Sequence, residues 1–130
     1  MRSAVKVDRR AVVAGAQLAI LVAGAVIVVY QILEWLTDSD VNLLLYLLLL
    51  GAWVAGGRVA GRHQPESPLT HGALAALLAY VVLIALLTLV DVARGNEVAD
   101  VVYVVFHALM AASMGIVGGY LAVRRLGRSA

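Results

Sequence analysis

The chain has no cysteine among its 130 residues, and only 14% of them are charged. The absence of cysteine excludes disulfide bonds, thiolate metal sites and a cysteine nucleophile. A soluble domain is usually about a quarter charged and half apolar, whereas 63% of this chain is hydrophobic and its mean hydropathy is +0.96. This composition indicates a membrane protein, and the length allows one compact unit without a second globular domain.

Four long apolar runs predict transmembrane helices at about residues 11–36, 41–60, 69–94 and 100–123. The second run is the shortest, and it reaches spanning length by including Val59 and Ala60 while Arg58 extends toward the headgroups. The runs are continuously apolar rather than alternating, which favours helices over a β-barrel. We expect an all-α fold, an integral membrane four-helix bundle in which residues 1–130 form one domain.

The short segments between these runs carry residues typical of helix ends. Asp38-Ser39-Asp40 offers N-caps for the second helix, and Ser67-Pro68 places a cap before a first-turn proline in the third. Gly95-Asn96 is expected to close the third helix and to open the fourth.

Charge is distributed very unevenly between the two predicted sides of the membrane. Nine of the ten basic residues would lie on one side: Arg2, Lys6, Arg9, Arg10, Arg58, Arg62, Arg124, Arg125 and Arg128. Six of the eight acidic residues would lie on the other: Glu34, Asp38, Asp40, Asp91, Glu97 and Asp100. The positive-inside rule therefore predicts a multi-pass protein with both termini in the cytoplasm. The basic residues are almost all arginine, beside abundant alanine, valine, leucine and glycine, and this composition suggests a bacterium and hence its inner membrane. The basic inner face of the protein should attract anionic lipid headgroups.

The beginning of the chain also resembles a secretory signal peptide. It has basic residues, an apolar run and a small-residue segment, Ala23-Gly24-Ala25. The apolar run continues through Val26-Ile27-Val28-Val29, where a cleaved signal would become polar. We therefore expect this segment to remain as the first transmembrane helix.

An internal repeat is visible in the glycine pattern. Val54-Ala55-Gly56-Gly57 aligns with Ile116-Val117-Gly118-Gly119, and Gly15-Ala16-x-x-Ala19 aligns with Gly72-Ala73-x-x-Ala76. Two helical hairpins in the same orientation would form a parallel repeat about an axis along the membrane normal. Glycine and alanine are also common in transmembrane helices for packing reasons alone, so chance recurrence is the competing interpretation.

Small residues spaced four apart occur in every predicted helix. In lipid, such residues let helix backbones approach closely, where dispersion forces and hydrogen bonds hold helices together. We expect the following glycines to mediate helix packing: Gly15, Gly24, Gly56, Gly57, Gly61, Gly72, Gly115, Gly118 and Gly119.

Polar residues within the spans also fall into stripes. Gln17, Gly24 and Gln31 repeat every seven residues on the first helix. Because polar groups are disfavoured against lipid tails, these stripes are expected to meet inside the bundle. A polar layer is predicted in the outer third of the membrane, in which Asp91 or Glu34 would orient His107. Its members are Tyr30, Gln31, Glu34, Thr88, Asp91, Tyr103 and His107. It is either a proton-responsive or ligand-binding site or a purely architectural layer that fixes helix register.

The pattern favours a protein without enzymatic activity and without a cofactor. His63 and His71 lie at the inner membrane edge, far from His107, so no convergent metal site is expected. Ser113 has no base at its depth, and no glycine-rich nucleotide-binding loop follows a strand. The basic residues flank the spans, which explains them without nucleic acid.

The segment from about Gly51 to Arg125 resembles a family of small four-span bacterial membrane proteins that is best represented among Firmicutes. The resemblance rests on Gly56-Gly57-Arg58-Val59-Ala60-Gly61, on His71-Gly72-Ala73-Leu74 and on Gly118-Gly119. This chain departs from the family in its longer inner loop. The resemblance implies the four-span fold and supplies no activity, because the family has none established.

Two other classes of small membrane protein do not fit. Small multidrug exchangers need a carboxylate near the middle of the first helix, where this chain has Gly24. Fluoride channels line their pores with phenylalanine, and this chain has only Phe106. We expect an assembly or accessory subunit, acting as a homo-oligomer or within a larger membrane complex. The alternative is a small transporter or channel whose path runs through the layer around His107.

Overall fold

The computed structural model describes residues 4–37 and 42–126, and over these ranges the fold is all-α. Its helices are α1 (Arg9–Leu36), α2 (Asn42–His63), α3 (Pro68–Arg94) and α4 (Val101–Leu126). All four are long and apolar enough to cross a membrane. The predicted four-helix architecture is confirmed, and α2 continues past Arg58 to His63, further than the sequence indicated.

The residues at three helix ends can be compared with the caps that such residues usually form. Two of them, Asp8 and Gly95, form the usual cap, and Ser67 does not. Asp8 caps α1, since its Oδ1 accepts the backbone N–H of Arg10 at 2.9 Å. Gly95 ends α3 in the left-handed conformation (φ 72°), as predicted, but Asn96 does not open α4, which begins at Val101. Ser67 precedes Pro68, but its side chain makes no capping hydrogen bond. The caps proposed at residues 38–40 lie outside the described residues.

The helices are arranged as a diamond rather than as a closed square. α2 and α3 pack against each other and against both remaining helices, whereas the backbones of α1 and α4 do not approach each other closely over the described ranges. Each of α1 and α4 therefore lies in a groove between α2 and α3, with its opposite face turned outward. We call the end of the bundle that holds Arg9, Arg62 and Arg124 the basic end, and the opposite end the acidic end.

Glycines bring the helices together in the basic half of the bundle. Gly15 and Gly56 face each other across α1 and α2, and a Cβ on Gly56 would lie 2.6 Å from the Cβ of Ala19. Gly72 and Gly115 face each other across α3 and α4 in the same way, and a Cβ on Gly115 would lie 2.7 Å from the Cβ of Ala76. Ordinary carbon–carbon contacts are about 3.5–4.0 Å, so these positions admit only glycine without a shift of the backbone.

These two glycine pairs are alike within their hairpins, but the helix arrangement does not follow the predicted parallel repeat. An axis that exchanged the two hairpins would make the α2–α3 and α1–α4 pairs equivalent, and only α2 and α3 pack closely. Gly15 and Ala19 of the first hairpin correspond to Gly72 and Ala76 of the second, as the sequence alignment predicts. Gly56, however, corresponds in its contacts to Gly115, three residues before the Gly118 with which the sequence pairs it. The reason is that a glycine makes this contact only if it faces the other helix of its hairpin. The rotation of the helix about its axis decides which residue does so, and the Gly-Gly pair that both helices contain does not.

Most of the other predicted packing glycines also lie against backbone. Gly57 faces Gly115, Gly61 faces Gly119, Gly118 faces Val54 and Gly119 faces Pro68. Gly24 is the exception, because a Cβ there would meet nothing within 4 Å. The prediction for Gly24 is therefore wrong within this chain: the buried face of α1 is formed by Ala11, Val12, Gly15, Ala16, Ala19 and Ala23, and Gly24 lies on the other face.

Candidate functional site

Two groups of polar side chains stand out, one in the acidic half of the bundle and one at the basic end. The first surrounds a cavity of about 90 Å³ that residues from all four helices line. Those residues are Ile27, Leu49, Trp53, Tyr80, Leu83, Ile84, Leu87, Tyr103 and His107. We refer to it as the four-helix cavity.

Aromatic rings define the walls of the four-helix cavity. Trp53 and Tyr80 are both buried, and their rings meet edge to face with centroids 6.2 Å apart. The Tyr80 hydroxyl donates to the carbonyl oxygen of Val104 at 3.0 Å, which links α3 to α4. Toward the basic end, alanines that are 0% exposed fill the centre of the bundle. The cavity is thus a small, largely apolar space, and the bundle is tightly packed between it and the basic end.

His107 lies at the mouth of this cavity among aromatic rings. Its ring is 4.0 Å from that of Tyr103 and 5.3 Å from that of Phe106, and the ring of Tyr46 on α2 is 6.2 Å away. Its Nδ1 lies 2.9 Å from the carbonyl oxygen of Tyr103. A carbonyl only accepts, so Nδ1 carries the proton and donates it within α4.

The predicted polar layer does not assemble. Among the described residues, Tyr103 and His107 are the members of this layer that contact each other, and the Thr88 hydroxyl donates to the carbonyl oxygen of Ile84 in its own helix. Gln31 and Glu34 are exposed on α1. The physical reason is the diamond arrangement, in which α2 and α3 lie between α1 and α4. Ile27 of α1 lines the same cavity as His107, but the polar side chains of Gln31 and Glu34 lie on the exposed face of α1. Neither Asp91 nor Glu34 orients the imidazole, and the prediction of one hydrogen-bonded layer is wrong.

The second polar group, at the basic end, centres on His71. This residue is 0% exposed and is the largest fully buried side chain among the described residues. Its Nε2 accepts the backbone N–H of Asp8 at 2.9 Å. Its Nδ1 lies 2.8 Å from the carbonyl oxygen of Ser67 and 2.9 Å from the Ser67 hydroxyl. Since Nε2 accepts, the imidazole is neutral and Nδ1–H donates to Ser67.

Asp8 completes this junction between the start of α1 and the turn before α3. Its Oδ2 accepts from the Gln64 side-chain amide at 2.8 Å, while Oδ1 caps α1. The hydrogen bonds from Gln64 and from the Arg10 N–H lower the pKa of the Asp8 carboxyl from its ordinary 3.8, because they stabilise the charged form. Asp8, Gln64, Ser67 and His71, which we call the α1 junction, thus fix α1 to the α2–α3 turn.

The α1 junction is not predictable from the sequence, which places His71 at the membrane edge and offers it with His63 as no more than a weak metal-binding pair. A local signal for Asp8 was present, since aspartate is a favoured N-cap directly before a helix. Nothing local signals the contact between Asp8 and His71, which are 63 residues apart. No three His, Asp or Glu side chains of the described residues form a group that suits a metal ion, and both nitrogens of His71 are already engaged.

Comparisons with family models, with curated proteins and with solved structures find no match to this chain. The resemblance to the small four-span bacterial family therefore stays a prediction.

Proposed function

We propose that this protein is a multi-pass inner-membrane protein without enzymatic activity that acts through helix association, as an assembly or accessory subunit or as a homo-oligomer. One observation carries the proposal. Two polar side chains buried in the bundle, Tyr80 and His71, form hydrogen bonds within the chain, whereas Gln17 and Gln31 are exposed on α1. Amide groups exposed on a transmembrane helix are costly against lipid and favourable against a neighbouring helix.

The proposed localisation rests on charge. The basic end would face the cytoplasm, in contact with anionic headgroups, with both termini on that side. Reporter fusions after Ser129 and near Gln64 are expected to read cytoplasmic, and a fusion near Ser39 external. An external reading at Ser129 would contradict this orientation.

The experiment that tests the proposed role is co-purification in mild detergent of a tagged copy expressed beside an untagged one, with the bound proteins identified by mass spectrometry. An untagged copy or a different membrane protein at fixed stoichiometry is expected. Recovery of the tagged chain alone as a monomer would contradict the proposal.

A small transporter or channel is the second candidate, because residues of all four helices line the four-helix cavity. Reconstituted liposomes test it directly by measuring flux of protons or small cations at two pH values. Flux that depends on the protein and disappears when His107 is replaced would favour transport over the accessory role. Liposomes no leakier than protein-free ones would exclude it.

A further inference from the structure

The outward face of α1 carries a repeated polar pattern that the bundle does not use. Gln17, Gly24 and Gln31 recur every seven residues, so they lie close to one line along the helix. Between them Leu21 and Val28 are 70% and 57% exposed. This line, which we call the glutamine face, is opposite the small residues that bury α1 against α2 and α3.

Neither glutamine has a hydrogen-bond partner among residues 4–37 and 42–126, and both are exposed. α1 is 28 residues long, hence about 42 Å, against an apolar bilayer core of about 30 Å. Gln17 lies eight residues inside the helix, about 12 Å from its start, which is within the hydrocarbon when the helix is centred. A lipid tail can satisfy neither its donor nor its acceptor.

The side chains of the glutamine face can form hydrogen bonds with the same face of a second copy of the chain. A primary amide carries two donors and one acceptor, so two glutamines at the same depth can bond to each other. Gly24, halfway between them, has nothing within 4 Å of an added Cβ, which leaves room for a helix backbone to approach. We propose that two copies of this chain associate through their glutamine faces, with Gln17 opposite Gln17, Gly24 opposite Gly24 and Gln31 opposite Gln31.

The two copies should run parallel about an axis along the membrane normal. An antiparallel pair would also match, with Gln17 opposite Gln31, but it requires copies inserted in opposite orientations. Nine of the ten basic residues lie toward one side, which favours a single orientation. Parallel pairing brings the two Arg10 side chains near each other at the basic end, so anionic headgroups should strengthen the pair by neutralising them.

This inference rests on the proposed function and specifies its interface. Because the chain has no cysteine, single cysteines report proximity without background. Gly24→Cys and Gly51→Cys form a matched pair, since a Cβ at either position meets nothing within 4 Å and Gly51 is exposed on α2. Oxidative cross-linking in native membranes should convert Gly24→Cys to a species of twice 13.7 kDa, with a much lower yield for Gly51→Cys.

A second variant tests the amides. In the Gly24→Cys background, replacing both Gln17 and Gln31 with leucine should reduce the yield roughly tenfold, as expected for losing two weak interhelical hydrogen bonds. The melting temperature of the bundle should not fall, because both side chains are exposed. An unchanged yield in the leucine variant, or no cross-link at Gly24→Cys, would overturn the glutamine face as the interface. Cross-linking at Gly51→Cys alone would also overturn it while leaving homo-oligomerisation intact. The proposed function itself would be contradicted only if, in addition, the tagged chain co-purified with no other polypeptide.

Discussion

Replacing Gly115 with alanine tests whether the glycine contacts hold the bundle together. Gly115 lies where three helices converge, since added Cβ atoms on Gly57 of α2 and on Gly72 of α3 would both meet its backbone. A Cβ on Gly115 itself would lie 2.7 Å from the Cβ of Ala76 and 2.9 Å from the carbonyl carbon of Gly72. Because these neighbours are backbone or a short side chain, no rotamer change can relieve the clash.

The expected loss of stability follows from how far α4 must move to make room for the added Cβ. Restoring ordinary carbon–carbon separations of about 3.5–4.0 Å needs a displacement of α4 from α3 by about 1 Å. Overpacking of this kind destabilises proteins by about 1–3 kcal/mol. The higher helix propensity of alanine offsets about 0.5–1 kcal/mol of that. We expect a net loss of about 0.5–2 kcal/mol, seen as a melting temperature lower by roughly 2–8 °C.

The assay is thermal unfolding in mild detergent, with Gly51→Ala as the control. A Cβ on Gly51 meets nothing within 4 Å, so this variant gains only helix propensity and should melt at or slightly above the parent. The reasoning would be refuted if Gly115→Ala melted as high as Gly51→Ala. Gly57→Ala should resemble Gly115→Ala, because it meets the same backbone from α2.

Three further predictions concern the polar side chains. His71→Ala removes a fully buried imidazole and leaves the Asp8 N–H without its acceptor, so it should destabilise by about 2–4 kcal/mol in thermal melts; a change below about 0.5 kcal/mol would refute the α1 junction. Because folding lowers the pKa of the Asp8 carboxyl, the carboxylate contributes fully to stability above its ordinary pKa of 3.8. That contribution disappears as the pH falls through the lower pKa of the folded state. The parent should therefore lose more melting temperature than Asp8→Asn between about pH 5 and pH 3, and parallel curves would contradict this. His107→Leu and His107→Gln should each change stability by less than about 1 kcal/mol, because the Nδ1–H bonds only to a carbonyl of its own helix; a larger loss for leucine alone would show that the imidazole has another partner.

The sequence predicts the number of helices and much of their packing because both depend on local patterns. Apolar runs of about 20 residues mark the spans, and Gly95 marks the end of α3 through its left-handed conformation. The four-residue spacing of Gly15 and Ala19 also identifies the face that α1 buries. Such signals are read within one helix, without knowledge of its neighbours.

Contacts that depend on how the helices are arranged could not be predicted in this way. The rule that polar residues turn inward places Gln17 and Gln31 inside the bundle, but the small residues on the opposite face of α1 decide its rotation. The polar layer around His107 requires α1 and α4 to meet, and the diamond arrangement separates them. The bond between Asp8 and His71 joins residues 63 positions apart. The spacing of residues along one helix carries no information on the rotation of α1, on the separation of α1 from α4 or on a bond between distant residues.

The central claim, that this protein acts by associating with other membrane helices, is tested most directly by counting the polypeptides in a lipid-bounded particle. The full chain is extracted from its native membrane with a disc-forming polymer, and the protein mass of each particle is measured without detergent. We expect at least two polypeptides per particle, either two copies of the 13.7 kDa chain or one copy with a different protein at fixed ratio. Particles that contain a single 13.7 kDa chain would contradict it.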